Sequence, residues 1–226
     1  MSKKKVILFI VEGVTDEASL GSILSELIND DQIKFQIYHG DILTYYHNSA
    51  NNIKRKVGDE INKFLDTEHY LKKDIAMIIH LIDTDGVFIK NDFVIENSFL
   101  SKNMYLEGEG IKTRNARTTI KRNMKKSQLI NILYSSSKIN TIAYKMYYFS
   151  SNLEHVFHEE ANVPDAKKSR LADDFAFKYY DKENEFIDFI NSSIVAVEGD
   201  YEETWDFIKQ DLNSINRNSN FHLFFD

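Results

Sequence analysis

The feature that most constrains this chain is a repeated stop: a short, β-branched apolar run that ends at an acidic residue and then a glycine. Lys5 to Val11 runs into Glu12-Gly13, and Ile75 to Ile82 runs into Asp83-Thr84-Asp85-Gly86. Runs this short and this apolar suit strands buried on both faces, and glycine lets the backbone turn tightly where each strand stops. Between them, Thr15 or Asp16 is placed to cap a helix reaching about Asn29, Ile33 to His39 alternates like a strand, and Asn51 to Leu65 has helical spacing. A strand–helix–strand–helix–strand series predicts an α/β fold, with a mainly parallel sheet flanked by helices and right-handed crossovers.

Past Asp83 the pattern changes. Val87 to Leu106 is mixed, Thr113 to Tyr134 reads as a polar, basic helix with Leu129, Ile130 and Leu133 on its apolar side, and Ile142 to Phe149 returns to strand character. Residues 87–140 are therefore expected to be a helical insertion that carries the chain back to the same sheet. Beyond Ser151, helices are expected near 152–160, 167–180, 182–192 and 200–213, with a short closing strand at Phe221 to Phe225. The expected division is a domain over 1–160 and a helical C-terminal extension over 161–226.

Composition narrows the class. The 226 residues suffice for one substantial core, and a single proline and eight glycines leave no room for long linkers. The absence of cysteine excludes disulfides, zinc–thiolate sites and a thiol nucleophile, which makes a cytoplasmic location the expectation. Val6 to Val11 is too short for a signal-peptide core, and no stretch approaches the roughly 20 apolar residues of a membrane span. The net charge of −7 hides a division: residues 151–226 hold 17 acidic and 7 basic side chains, while residues 1–150 hold 18 and 21. One surface can thus attract phosphate while another repels it.

In open parallel sheets, ligands gather outside the carboxyl ends of the strands. Glu12 and the Asp83/Asp85 pair fall at such ends. Carboxylates gathered there repel each other, and a hard divalent cation relieves the repulsion; Mg²⁺ prefers oxygen ligands and keeps waters that a substrate phosphate can replace. Each motif alone is an ordinary turn. Their conjunction, in this order and at strand ends, points to a metal site.

The series strand-Glu-Gly, helix, strand, helix, strand-Asp-x-Asp-Gly resembles the Toprim domain shared by topoisomerases, bacterial primases and OLD-type nucleases, by motif over about residues 4–90 and more loosely over 140–160. The resemblance implies a general acid/base or metal-ligand role for Glu12 and Mg²⁺ ligation, with Mn²⁺ as a substitute, by Asp83 and Asp85. An acid four residues after the glutamate is a feature of the OLD-type nucleases, and Asp16 stands there; a helix cap is the alternative. Ser150-Ser151-Asn152-Leu153-Glu154 resembles a segment of small Toprim proteins of phage-defence systems, which makes Glu154 a further candidate ligand. Its alternative is an ordinary helix start, capped by Ser151 or Asn152, with Glu154 in the first turn.

Residues 111–126 contain seven basic side chains and no acidic one: Lys112, Arg114, Arg117, Lys121, Arg122, Lys125 and Lys126. Such a segment suits tracking of nucleic-acid phosphates, with a solvated helix face as the alternative. Lys145, within the last strand of the sheet, is a candidate for balancing charge at a scissile phosphate. The expected function is Mg²⁺-dependent hydrolysis of DNA or RNA phosphodiesters, and the alternative is a noncatalytic module that binds nucleic acid or a partner. There is no Gly-x-x-x-x-Gly-Lys-Ser/Thr motif. By the same resemblance, an ATPase on a separate chain and a role in antiviral defence or abortive infection are expected, and a homo-oligomer is a further expectation.

Overall fold

The computed structural model describes residues 5–28, 32–38 and 40–226. Among the described residues the chain divides into two compact units, each assembled from separate stretches: unit 1 from 1–81, 128–147 and 172–183, and unit 2 from 82–127, 148–171 and 184–226. Residues 161–226 are thus shared between the two.

Unit 1 carries the central sheet. Strands β1 (Val6–Val11), β2 (Ile33–Ile37), β3 (Ile75–Asp83), β7 (Lys138–Ile139) and β8 (Ile142–Phe149) are ordered β2-β1-β3-β8-β7. β1 pairs in parallel with both β2 and β3, and β7 pairs antiparallel with β8 at the edge. The protein is therefore mixed α/β with a parallel-rich sheet flanked by helices. Leu8, Phe9, Ile10 and Val11 of β1 are all buried, as its unbroken apolar run requires. Helix α1 (Val14–Ile28) contributes Leu20, Ile23 and Leu24 to the core, and α2 (Ile53–Thr67) contributes Ile53, Val57, Ile61 and Phe64 at helical spacing. Gly58 of α2 is needed for close approach: a Cβ there would meet the Asn140 side chain at 2.7 Å, where Asn140 donates to the Gly58 carbonyl. The expected strand end at His39 and helix end at Asn29 lie outside the described residues.

Unit 2 departs from the expected helical insertion. Residues 87–115 build a second sheet from β4 (Val94–Glu96), β5 (Met104–Leu106) and β6 (Gly110–Thr113), in the order β4-β6-β5. Strands of three or four residues are too short to show alternation, so the sequence hides them. Ile89, Val94, Ile111 and Ile215 form the buried core of this region, with Tyr105 and Ile120 packed on it. Helix α3 (Ala116–Tyr134) follows, then α4 (Leu153–His158), α5 (Asp165–Lys178), α6 (Glu183–Ile190) and α7 (Tyr201–Ile208), of which α3 from Gln128 and α5 from Ala172 count with unit 1. The closing strand is replaced by a 3₁₀ turn at Phe221–Phe224. Side chains three apart eclipse in that geometry, and Phe221 stacks on Phe224 with centroids 5.8 Å apart.

Candidate functional site

The Asp-x-Asp turn is the most constrained part of unit 2. Asp83 ends β3, and the next three residues reverse the chain with Asp85 at φ 52° and Gly86 at φ 65°. Left-handed backbone is unfavourable for aspartate and is held only where the surroundings over-determine it. Here they do. Buried Thr84 donates its hydroxyl to the Ser214 carbonyl and accepts from the Ser151 N–H, and the Asp85 N–H donates to the Ser151 carbonyl. The Leu153 N–H donates to Asp83 Oδ1 at 3.0 Å, so the turn after β3 and the start of α4 are pinned together.

Asp85 is the hub of a buried ionic cluster. Lys126 Nζ lies 2.7 Å from Asp85 Oδ2, and the Lys126 side chain is 0% exposed against 21% for Asp85. Arg122 stands 3.9 Å from the same carboxylate and donates to the Asp85 carbonyl. The Tyr105 hydroxyl donates to Asp85 Oδ1 at 3.1 Å and accepts from Arg122. Burial by itself would raise the Asp85 carboxyl, but the charges of Lys126 and Arg122, with hydrogen bonds from Lys126 and Tyr105, outweigh it and hold the group below the ordinary carboxylate range. Burial and the neighbouring Asp85 charge push Tyr105 up to about 12, so its phenol stays protonated and donating at neutral pH.

A cleft of about 400 Å³ opens beside this cluster, lined by Asp83, Asp85, Lys102, Tyr105, Asn152, Asn162 and Lys168 among others. Glu154 is buried and paired with Lys168 at 2.8 Å, while Asn152 caps α4 by accepting from the His155 N–H. Unit 1 has a larger groove of about 1070 Å³, lined by Lys5, Lys72, Lys73 and Ala143 among others. It lies at the amino ends of β1, β3 and β8, the end of a parallel sheet opposite to where ligands gather. The smaller cleft is the better candidate for chemistry.

Unit 1 holds the other acidic turn. Glu12 follows β1 and is half-buried, and Asp16 stands in the first turn of α1, where its carboxylate accepts from the Gly13 N–H at 2.9 Å. That is the reach-back half of a capping box. Neither Thr15 nor Asp16 is the residue before the helix, because α1 begins at Val14. Lys145 is exposed on β8.

The basic segment splits by face. Arg122 and Lys126 point inward, four residues apart on the stripe that continues through buried Leu129, Ile130 and Leu133. Arg114, Arg117 and Lys121 are exposed, Lys125 is half-buried, and Lys112 pairs with Glu109 at 3.6 Å. Lys126 is thus placed as a counter-ion to Asp85, away from any outer phosphate-tracking surface. Tyr105 was not a candidate in the sequence, since nothing local marks a lone tyrosine in a three-residue strand. The inward role of Arg122 and Lys126 was legible, because both fall on the apolar stripe of α3.

A Mg²⁺ ion needs oxygen ligands whose charge is not already met. Both carboxylate oxygens of Asp85 are engaged, by Lys126 and by Tyr105. Among the described residues, no group of three or more His, Asp or Glu side chains stands together so as to hold a metal. As arranged, Lys126 and Arg122 supply the positive charge around Asp85. Comparison with known proteins yields no match from family models, curated proteins or solved structures, so no family is assigned to the chain.

Proposed function

We propose that the protein is a phosphodiester hydrolase acting on nucleic acid, with the cleft beside Asp83 and Asp85 as its reaction site. The observation that carries this reading is that Asp85 and Tyr105, which line the cleft, belong to an ionic cluster completed by Lys126 and Arg122. A buried ion pair contributes little net stability, since desolvation offsets most of the attraction, and perturbed ionisable groups in a cleft are what reaction sites require. On this reading Asp83 accepts a proton from a water whose oxygen attacks phosphorus; the P–O bond to the departing strand end breaks, and that oxygen takes its proton from solvent. Lys102 and Lys168, which line the cleft, hold the substrate phosphate, while Arg122, Lys126 and the neutral Tyr105 phenol fix Asp85. The exposed stripe of Arg117 and Lys121 with Lys125 engages the flanking backbone. The Mg²⁺ or Mn²⁺ requirement, Glu12 as acid/base, a separate-chain ATPase and an antiviral role rest on the Toprim resemblance, and no step is assigned to a metal.

One observation favours a second reading, a noncatalytic nucleic-acid-binding module: Asp85 is already neutralised by protein cations. Purified protein incubated with plasmid, single-stranded DNA and tRNA, with Mg²⁺, Mn²⁺ or chelator, separates the two. Cleavage that is lost in Asp83→Asn supports the hydrolase, and retained binding with no cleavage under any condition supports the module. As to membranes, no helix among the described residues is long and apolar enough to cross one.

A further inference from the structure

Unit 1 carries an exposed cluster that neither acidic turn uses. The segment that leaves the carboxyl end of β2 is tied down at its base, where the Tyr38 N–H donates to the Val11 carbonyl and the Gly40 N–H to the Glu12 carbonyl. Buried Ile42 and Leu43 anchor it, Asp41 accepts from the Leu43 N–H, and buried Asn48 donates to the Ile42 carbonyl. Asn52, at the start of α2, donates to the His47 carbonyl and accepts from the Ser49 N–H. At the tip of this braced loop, Tyr45 is 50% and Tyr46 75% exposed. Their ring centroids lie 5.5 Å apart, and the His47 ring is 3.6 Å from Tyr46 and 5.6 Å from Tyr45. The first turn of α2 then carries exposed Lys54, half-buried Lys56 and Arg55, which pairs with Asp59 at 3.0 Å, with no acidic residue in that turn.

Aromatic rings exposed on a loop this well anchored are not there for the core. Each of the three also carries a polar group, which suits a ligand with both a flat apolar face and hydrogen-bonding edges. The adjoining cations are unfavourable for the helix itself, because positive charge at a helix start opposes its dipole, and that cost is met where anions are bound. Stacked aromatics beside basic side chains are how proteins hold unpaired nucleotides, with bases on the rings and phosphates on the cations.

We propose that Tyr45, Tyr46 and His47 form a stacking platform for unpaired bases of single-stranded nucleic acid, with Lys54 and Lys56 on the flanking phosphates. The proposal rests on the nucleic-acid reading above and adds the strand state of the ligand. The platform belongs to unit 1 and needs no catalytic group, so binding tests it apart from cleavage.

The experiment is fluorescence anisotropy on the full chain with an oligothymidine strand and an abasic phosphodiester strand of equal length. The oligothymidine strand should bind about 10-fold more tightly than the abasic one. Tyr45→Ala/Tyr46→Ala should abolish that preference while leaving abasic binding unchanged. In Tyr46→Trp the preference should persist, and the new indole should be quenched by the oligothymidine strand alone, the native Trp205 being fully buried. Equal affinity for the two strands, or a preference that survives the double substitution, overturns the platform and leaves the nucleic-acid reading standing. Failure of the wild type to bind either strand overturns both.

Discussion

The turns after β1 and β3 look alike in sequence, yet the bonds that hold an aspartate in each differ in range. After β1, Asp16 is met three residues away by the Gly13 N–H, a local bond that starts a helix. After β3, Asp85 is met by a buried lysine 41 residues on, by Arg122 and by the Tyr105 hydroxyl. The first arrangement costs little to build and contributes a helix cap. The second commits a fully desolvated cation, which a fold does not need for stability. An acidic-Gly turn at a strand end therefore does not have one meaning: a capping bond is on view at the first and a converging lysine, arginine and tyrosine at the second.

The sharpest way to break this contrast is to remove one partner of the buried pair. Asp85→Asn should lower unfolding stability by about 3 kcal/mol, the low end for a broken buried pair because Asp85 keeps some solvent exposure. Asp85→Asn/Lys126→Met should recover most of that loss in denaturant titration, since no unmatched charge then remains buried. Equal losses in the single and double variants would show that the pair is not the coupled unit described.

A second test uses acid. The folded Asp85 carboxyl sits below its unfolded value of about 3.9, so its contribution is fully present above that pH and is lost as pH falls through the folded value. Thermal melts from pH 5 downward should fall more steeply for the wild type than for Asp85→Asn/Lys126→Met. Parallel curves would remove Asp85 from the acid response.

By contrast, Asp16→Ala should cost only about 1 kcal/mol, the value of a helix cap. A loss as large as that of Asp85→Asn would erase the difference between the turns. The smallest effect on folding belongs to the outer stripe of α3. Arg117→Glu/Lys121→Glu should leave the melting temperature within a degree or two and flatten the salt dependence of nucleic-acid binding, by roughly one unit of slope per lost phosphate contact. An unchanged slope would take that stripe out of the interface.

How much of this was legible follows the range of the interactions. Most of the sheet was readable because β1 and β3 are apolar runs, β2 alternates and Ile142–Phe149 falls where its residues predict, whereas β7, two residues long, carries no pattern. The second sheet was not, because β4, β5 and β6 owe their pairing to partners and have too few residues for a pattern. The Asp83–Gly86 turn was visible as a turn, but its chemistry was not. Charge repulsion among carboxylates suggested a metal, whereas Lys126 and Arg122 answer that charge around Asp85 from the inner face of α3. Counting all seven basic residues of 111–126 as one surface missed this, although Lys126 stands three and four residues before the buried Leu129 and Ile130. Tyr105 carries no local signal at all.

The reaction proposed for the cleft beside Asp83 and Asp85 is cleavage of nucleic acid. Its most direct test is a cleavage assay of wild type against Asp83→Asn on single-stranded and plasmid DNA and on tRNA, across Mg²⁺, Mn²⁺ and chelator, with thermal melts confirming that the variant is folded. Strand scission by the wild type is expected under at least one condition, with a loss of at least about 100-fold in the folded variant, the scale of a general base. Scission undiminished in Asp83→Asn, or no scission by a wild type that binds the same strands, would contradict it.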